Sequence, residues 1–301
     1  MTFPTSAQPA ATGFEPPPRL HDTLVGIDSD GCVFDSMGIK QRNHFVPFIV
    51  RWWGLEAIAP RVRRHIERIN LFSATRGGNR FPNLILLFEA LARDPAVRAS
   101  GIALPDLTAL RRYCASGQPL GNATLEREAA RARDPELLRV LAWSRALSHD
   151  IDTRMEPVAP FVWARRSLER MAQESDVVVI SQTPEAALRR EWQQHGLDRL
   201  VPCLAGQEQG SKAEQLRRAA GGRYAPARIL MIGDALGDQL AAEACGALFY
   251  PILPGLEEDA WRRFHDEAYD RFLAGTFAGA YAEGQRQRFH AILDGGACQD
   301  A

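Results

Sequence analysis

Val25-Gly26-Ile27-Asp28-Ser29-Asp30-Gly31-Cys32-Val33-Phe34-Asp35-Ser36 decides how the rest of this chain is read. The run opens with apolar residues that suit a buried strand, places two carboxylates two positions apart, and follows them at once with a glycine. At the end of a strand in an open α/β sheet, Asp28 and Asp30 can both approach the loop space where such sheets bind ligands. Two readings are open on this stretch alone. Asp-Gly closes many strands as a plain turn. Alternatively, one carboxylate is a nucleophile and the other transfers protons, with a divalent cation offsetting their repulsion.

Outward from this stretch, the 301 residues can bury a substantial core and suit two domains, or one domain carrying a large insertion. With 36 basic and 37 acidic residues the formal net charge is −1, which argues against an extended nucleic-acid surface. Hydrophobic content of 46% beside 24% charged residues is that of an ordinary soluble globular chain. No apolar run approaches the roughly 20 residues of a membrane helix. Cys32, Cys114, Cys203, Cys245 and Cys298 are scattered and form no Cys-x-x-Cys pair, so neither a disulfide framework nor a zinc site is expected. A reducing, cytoplasmic compartment is the matching expectation. Residues 1–19, rich in Ala, Pro and Thr, lack the basic start and apolar core of a signal peptide and read as a disordered tail.

Thr23 to Ile27 reads as the first strand. From Met37 the sequence becomes helix after helix: Lys40 to Trp53, Arg61 to Ile69, Pro82 to Arg93, Asp106 to Ala115 and Pro135 to His149, separated by glycine-bearing breaks. From Glu156 helices alternate with short strands. Asp176 to Ile180 is a Val/Ile strand followed by Ser181-Gln182-Thr183-Pro184, in which Thr183 is placed to cap a helix. Val201 to Leu204 is a weaker strand, Ser211-Lys212 opens a helix, and Arg228 to Ile232 is a strand ending in Gly233-Asp234-Ala235-Leu236-Gly237-Asp238. Ala247 to Ile252 is a last strand. This alternation predicts a doubly wound, parallel, Rossmann-like α/β sheet. Trp261, Phe264, Ala268 and Phe272 then recur at helical spacing, as either a core stripe or a partner-binding one.

A parallel sheet gathers the ends of its strands along one edge, which collects Asp28, Asp30, Ser181, Lys212, Asp234 and Asp238. The acids could hold a hard, oxygen-seeking cation such as Mg²⁺; a hydroxyl and an ammonium could hold an anionic oxygen cluster; Asp28 is left to attack. Taken singly, each has a plainer reading. Ser181 is a strand-end hydroxyl, Lys212 a solvated lysine, and Asp234 and Asp238 are helix caps.

In combination the residues resemble the haloacid dehalogenase-like (HAD) hydrolase superfamily. Asp28-Ser29-Asp30-Gly31 matches its first motif, Ser181 the second, Lys212 the third, and Gly233-Asp234-Ala235-Leu236-Gly237-Asp238 the fourth, all in the family's order. The likeness covers roughly residues 20 to 36 and 156 to 253. It implies a HAD core at 20–36 and 156–301, including a C-terminal helical extension, with 37–155 as an inserted, all-helical C1-type cap. It also implies Mg²⁺ and a small phosphorylated substrate, while the charge balance and the lack of a long apolar run lead us to expect no nucleic-acid or membrane partner. Asp28 would form an aspartyl-phosphate, Asp30 would serve as acid and then base, and Ser181 and Lys212 would hold the phosphoryl group. Asp28, Asp30, Asp234 and Asp238 would serve the metal, the last either through water or by orienting Lys212. Because family dehalogenases lack the second acid, Asp30 favours phosphate-ester hydrolysis. Cys32 departs from the usual Thr or Val at its position and is expected simply to pack.

Two further readings concern the periphery. In the cap, Ser73-Ala74-Thr75-Arg76-Gly77-Gly78-Asn79-Arg80-Phe81 offers Arg76 and Arg80 as contacts to an anionic substrate, or as surface arginines. Lys40, Arg42 and His44 are weaker candidates near the hinge, with solvated side chains as the plainer reading. Gly206 to Lys212 superficially suggests a triphosphate-binding loop, but its spacing is wrong. The alternatives to a phosphatase are a phosphotransferase or mutase on the same fold, and a non-catalytic binding protein.

Overall fold

The computed structural model describes Pro16 and residues 18–295, so the expected N-terminal tail lies largely outside the described residues and Cys298 lies wholly outside them. Leu24–Ile27 forms strand β1, a short run of Leu, Val, Gly and Ile in which every residue is buried, as a strand covered on both faces requires. β1 is the middle of a five-stranded sheet, and the other strands are β2 (Asp176–Ile180), β3 (Cys203–Ala205), β4 (Ile229–Gly233) and β5 (Leu248–Pro251). All neighbours are parallel and the order is β3-β2-β1-β4-β5. Gly26 lets the flanking strands and the overlying helix close on β1, because a Cβ there would lie 2.8 Å from Ile180 Cδ1 and 3.0 Å from Leu216 Cδ1.

This is the doubly wound, Rossmann-like arrangement the sequence predicts, with strand ends shifted by one or two residues. The chain winds from β1 to β2 and β3 on one side, then crosses to β4 and β5 on the other. Ile27 stands opposite Val179 of β2 and Ile232 of β4, so the residues after all three strands emerge at one edge. The Asp28 N–H donates to Ile232 O at 2.9 Å, carrying the ladder one residue past β1. The strand order reverses at β1, and in open sheets of this kind the edge beyond such a reversal is the usual ligand position.

The chain divides into two compact units. One comprises the described residues up to Phe34 together with Ala159–Phe289; the other comprises Asp35–Val158 together with the described residues from His290. The second unit is helical. A continuous run covers Ser36–Ile39, a π-helical Lys40–Phe45 and Val46–Trp53, and is followed by Ala59–Leu71, Arg80–Arg93, Pro95–Ser100, Thr108–Cys114, Asn122–Ala132 and Pro135–Arg154. Its core centres on Trp53, whose ring meets Phe88 at 5.4 Å and Trp143 at 5.6 Å, both edge-on. The helix Asn122–Ala132 was not expected from the sequence, because it buries only Leu125 and Ala129 and so carries almost no apolar stripe.

In the sheet unit, Trp261, Phe264, Ala268 and Phe272 are all fully buried, which identifies their helical spacing as core packing. Among the described residues no helix is long and apolar enough to cross a membrane.

Candidate active site

Asp28 sits where β1 ends, 5% exposed. Its Oδ1 accepts the Ser29 N–H at 2.8 Å, and its Oδ2 lies 2.8 Å from Lys212 Nζ. Lys212 is the first residue of the helix Lys212–Ala220, whose start is fixed by a capping box: Ser211 Oγ accepts the Glu214 N–H, and Glu214 accepts the Ser211 N–H at 2.7 Å. A second contact, 2.6 Å to Asp238 Oδ1, pins the same ammonium. Asp238 is fully buried in the helix Leu236–Ala244, and its other oxygen accepts the Ala235 N–H at 3.0 Å. Gly233 makes room for it, since a Cβ at that position would stand 2.2 Å from Asp238 Cγ.

Asp234, also fully buried, completes the group. One carboxylate oxygen from each of Asp28, Asp234 and Asp238 lies within 4.8 Å of the others. Three carboxylates against the one Lys212 ammonium leave a formal excess of two negative charges if all ionise. That imbalance is visible in the acid-base behaviour. Burial pushes the Asp28 carboxyl well above its ordinary value, Lys212 opposes the shift, and Asp238 and Asp234 add to it. Burial alone would depress the Lys212 ammonium, but Asp238 and Asp28 outweigh it and hold the group charged above its usual range. A buried, oxygen-only set with unbalanced negative charge suits a hard divalent cation and is a poor fit for a soft metal.

Asp30 is not a member of this carboxylate group. Gly31, in the left-handed region at φ 77°, turns the chain so that its N–H reaches Phe34 O at 2.8 Å, and the Asp30 Oδ2 accepts the Thr183 hydroxyl at 2.9 Å. Ser181, buried at the end of β2, donates its N–H to Ala205 O, while its Oγ accepts the Thr183 N–H at 3.1 Å.

The loop between the two acids is braced from behind. Trp192 Nε1 donates to Ser29 Oγ at 2.9 Å and Trp261 Nε1 to Cys32 O at 2.7 Å, with both indoles buried. Cys32 is itself fully buried, and burial, reinforced by Asp234 and Asp28, pushes its thiol well up, so it packs and does not react. The fully buried Gln215 side-chain amide donates to Ser181 O, Gly206 O and Gly210 O, tying the end of β2 to the loop that precedes Lys212.

Thr183, Gln215, Trp192 and Trp261 were not singled out as site residues. Thr183 reads from sequence as a helix cap, yet Pro184 occupies the N-cap of the helix Glu185–Gln194, Glu208 Oε2 takes the Glu185 N–H, and the Thr183 hydroxyl is spent on Asp30. The available signal was positional: Thr183 follows Ser181 by two residues, as Asp30 follows Asp28, in the loops that leave the neighbouring parallel strands β2 and β1.

Arg76 and Arg80 are engaged inside the helical unit. Arg76 is buried and donates to Leu71 O at 2.9 Å. Arg80 donates to Ser144 O, Ser144 Oγ and Ser148 Oγ and lies over the Phe45 ring at 5.6 Å; burial lowers its pKa. These bonds give both side chains a structural task there, and neither is the surface arginine of the alternative reading. His44, expected to be solvated, is buried with Nδ1 2.8 Å from Asp150 Oδ2.

No family model and no curated protein matches the chain. Solved structures similar to it include a haloacid dehalogenase-like family hydrolase from Xanthomonas campestris, 16% identical over 86% of this chain and 100% of that one, with a TM-score of 0.43. Another is a haloacid dehalogenase-like family hydrolase from Streptococcus pneumoniae, at 15% identity over 81% and 90% with a TM-score of 0.41. A third, described as a predicted phosphoglycolate phosphatase, is from Haemophilus somnus, at 13% identity over 76% and 84% with a TM-score of 0.43. The superpositions are loose, and the fold of this chain is defined by its own strand order and register.

Proposed function

We propose that this chain is a HAD-like, Mg²⁺-dependent phosphatase that hydrolyses a small phosphorylated metabolite through a phosphoryl group carried on Asp28. The observation that carries the reading is the placement of one Asp28 oxygen 2.8 Å from Lys212 Nζ, inside a buried cluster that also contains Asp234 and Asp238.

In this reading Asp28 and Asp234, with the backbone at Asp30 as the resemblance implies, would hold Mg²⁺, which when bound would supply the positive charge that lets a carboxylate approach a phosphate dianion. Lys212 keeps Asp28 ionised beside that charge and, with the Ser181 hydroxyl, binds the transferring phosphoryl oxygens. Asp238 fixes the Lys212 ammonium. An Asp28 oxygen attacks phosphorus, the bond to the leaving oxygen breaks, and the Asp30 carboxyl gives that oxygen its proton. Asp30, now a carboxylate, takes a proton from water as the water attacks the same phosphorus; phosphate departs and Asp28 is regenerated. The reaction is proposed to take place in the cytoplasm.

Phosphate release from a panel of phosphorylated metabolites should require Mg²⁺ and stop when a chelator is added. In the absence of substrate Mg²⁺ should raise the melting temperature, because it binds the folded cluster alone. Release that persists in chelator would contradict the reading. Gly233→Ala should lower kcat by about 100-fold while the circular dichroism spectrum is retained, since the new methyl must displace Asp238 and with it Lys212; unchanged kcat would show that this support is dispensable.

A further inference from the structure

Thr183 is held at its N–H, its carbonyl and its hydroxyl. Its N–H goes to Ser181 Oγ at 3.1 Å, its carbonyl accepts the Gln207 N–H at 3.0 Å, and its hydroxyl donates to Asp30 Oδ2 at 2.9 Å. Both backbone groups are therefore fixed, and the hydroxyl has been withdrawn from the helix end, whose first N–H is taken by Glu208. On the other side the Asp30 backbone is set by the Gly31 turn. A carboxyl whose main chain is fixed and whose one oxygen is tethered has little rotational freedom left.

From this we infer that Thr183 is a positioning residue for proton transfer: by holding one oxygen of Asp30, it aims the other at the leaving-group oxygen of the phosphate ester. The inference deepens the phosphatase reading and rests on it. Attack by Asp28 does not need Thr183, but departure of a basic alkoxide does, because such a group leaves only as it receives the Asp30 proton. A weakly basic leaving group departs as the anion and gains nothing from an aimed acid.

The test compares the full-length parent, Thr183→Val and Thr183→Ser on p-nitrophenyl phosphate, phenyl phosphate and a series of alkyl phosphates, all with Mg²⁺. Thr183→Val replaces a half-buried hydroxyl by a methyl of similar volume, and its melting curve checks the fold. Its kcat/KM, which reports the steps up to leaving-group departure and not the shared hydrolysis of the phosphoryl group on Asp28, should fall about tenfold or more for alkyl esters yet change by less than about twofold for the p-nitrophenyl ester, with Thr183→Ser restoring the alkyl values. Inhibition by inorganic phosphate should be the same in all three proteins. An equal loss across all leaving groups, or weaker phosphate inhibition in Thr183→Val, would overturn the inference while leaving the phosphatase reading intact. A parent that hydrolyses none of the esters would overturn both.

Discussion

Asp28→Asn is expected to release no measurable phosphate, a loss of at least about 10⁴-fold, because the amide cannot serve as the attacking group. The same change should not harm the fold. Burial holds the Asp28 carboxyl well above the ordinary value of 3.8, so the folded chain keeps a proton that the unfolded chain has lost. A raised carboxyl of this kind contributes stability below the unfolded value, and that contribution is lost as pH rises from 3.8 toward the folded value. Asparagine has no such dependence, and it relieves the repulsion from Asp234 and Asp238 while leaving Lys212 its 2.6 Å contact with Asp238. In metal-free buffer, Asp28→Asn should therefore melt at or above the parent at neutral pH, with the difference closing as pH falls from the folded value toward 3.8. Thermal melts of both proteins across this range check the claim; an equal deficit for the variant at every pH would show that Asp28 is there for packing.

Lys212→Met should show the opposite pattern. The ammonium is the counter-charge common to Asp28 and Asp238, and both contacts are lost together. Removing one side of a buried ionic cluster costs about 3 to 5 kcal/mol, because the remaining charges stay desolvated without a partner. The variant should melt well below the parent and recover part of the difference in Mg²⁺, which replaces the missing charge. Its turnover should stay down by about 10²-fold to 10³-fold even so, since a preorganised donor to the phosphoryl group is gone. Parent-like melting in metal-free buffer would mean that the three acids are not ionised together and that the cluster carries no excess negative charge.

What the sequence revealed and what it hid have physical reasons. The strands were legible because they are short, Val/Ile-rich and buried on both faces, as Asp176–Ile180 is. Asp28, Lys212, Asp234 and Asp238 could be gathered from the sequence because a parallel sheet brings its strand ends to one edge whatever the length of the connections. The support behind them was not legible. Nothing in the local pattern around Trp261 says that an indole 229 residues away in sequence will donate to Cys32 O, and a glutamine in a helix such as Gln215 looks solvated until its three carbonyl partners are seen. Thr183 misled for a related reason. A threonine before Pro-Glu is a good cap by local rules, but the carboxylate of Asp30, in the loop after the neighbouring strand β1, is a stronger acceptor for its hydroxyl. Arg76 and Arg80 attracted attention as cations beside glycines, whereas their long side chains reach carbonyls and hydroxyls within the helical unit.

The central claim is that the phosphoryl group passes through Asp28. The direct measurement is an acid quench of the Mg²⁺-loaded parent during turnover of a phosphate ester that it hydrolyses, followed by peptide mass spectrometry, with Asp28→Asn treated in parallel. The account predicts one phosphoryl group on the peptide containing Asp28-Ser29-Asp30, located at Asp28, labile at alkaline pH as an acyl phosphate is, and absent from the variant. A phosphoryl group found on another residue, or an Asp28→Asn protein that turns over like the parent, would contradict it.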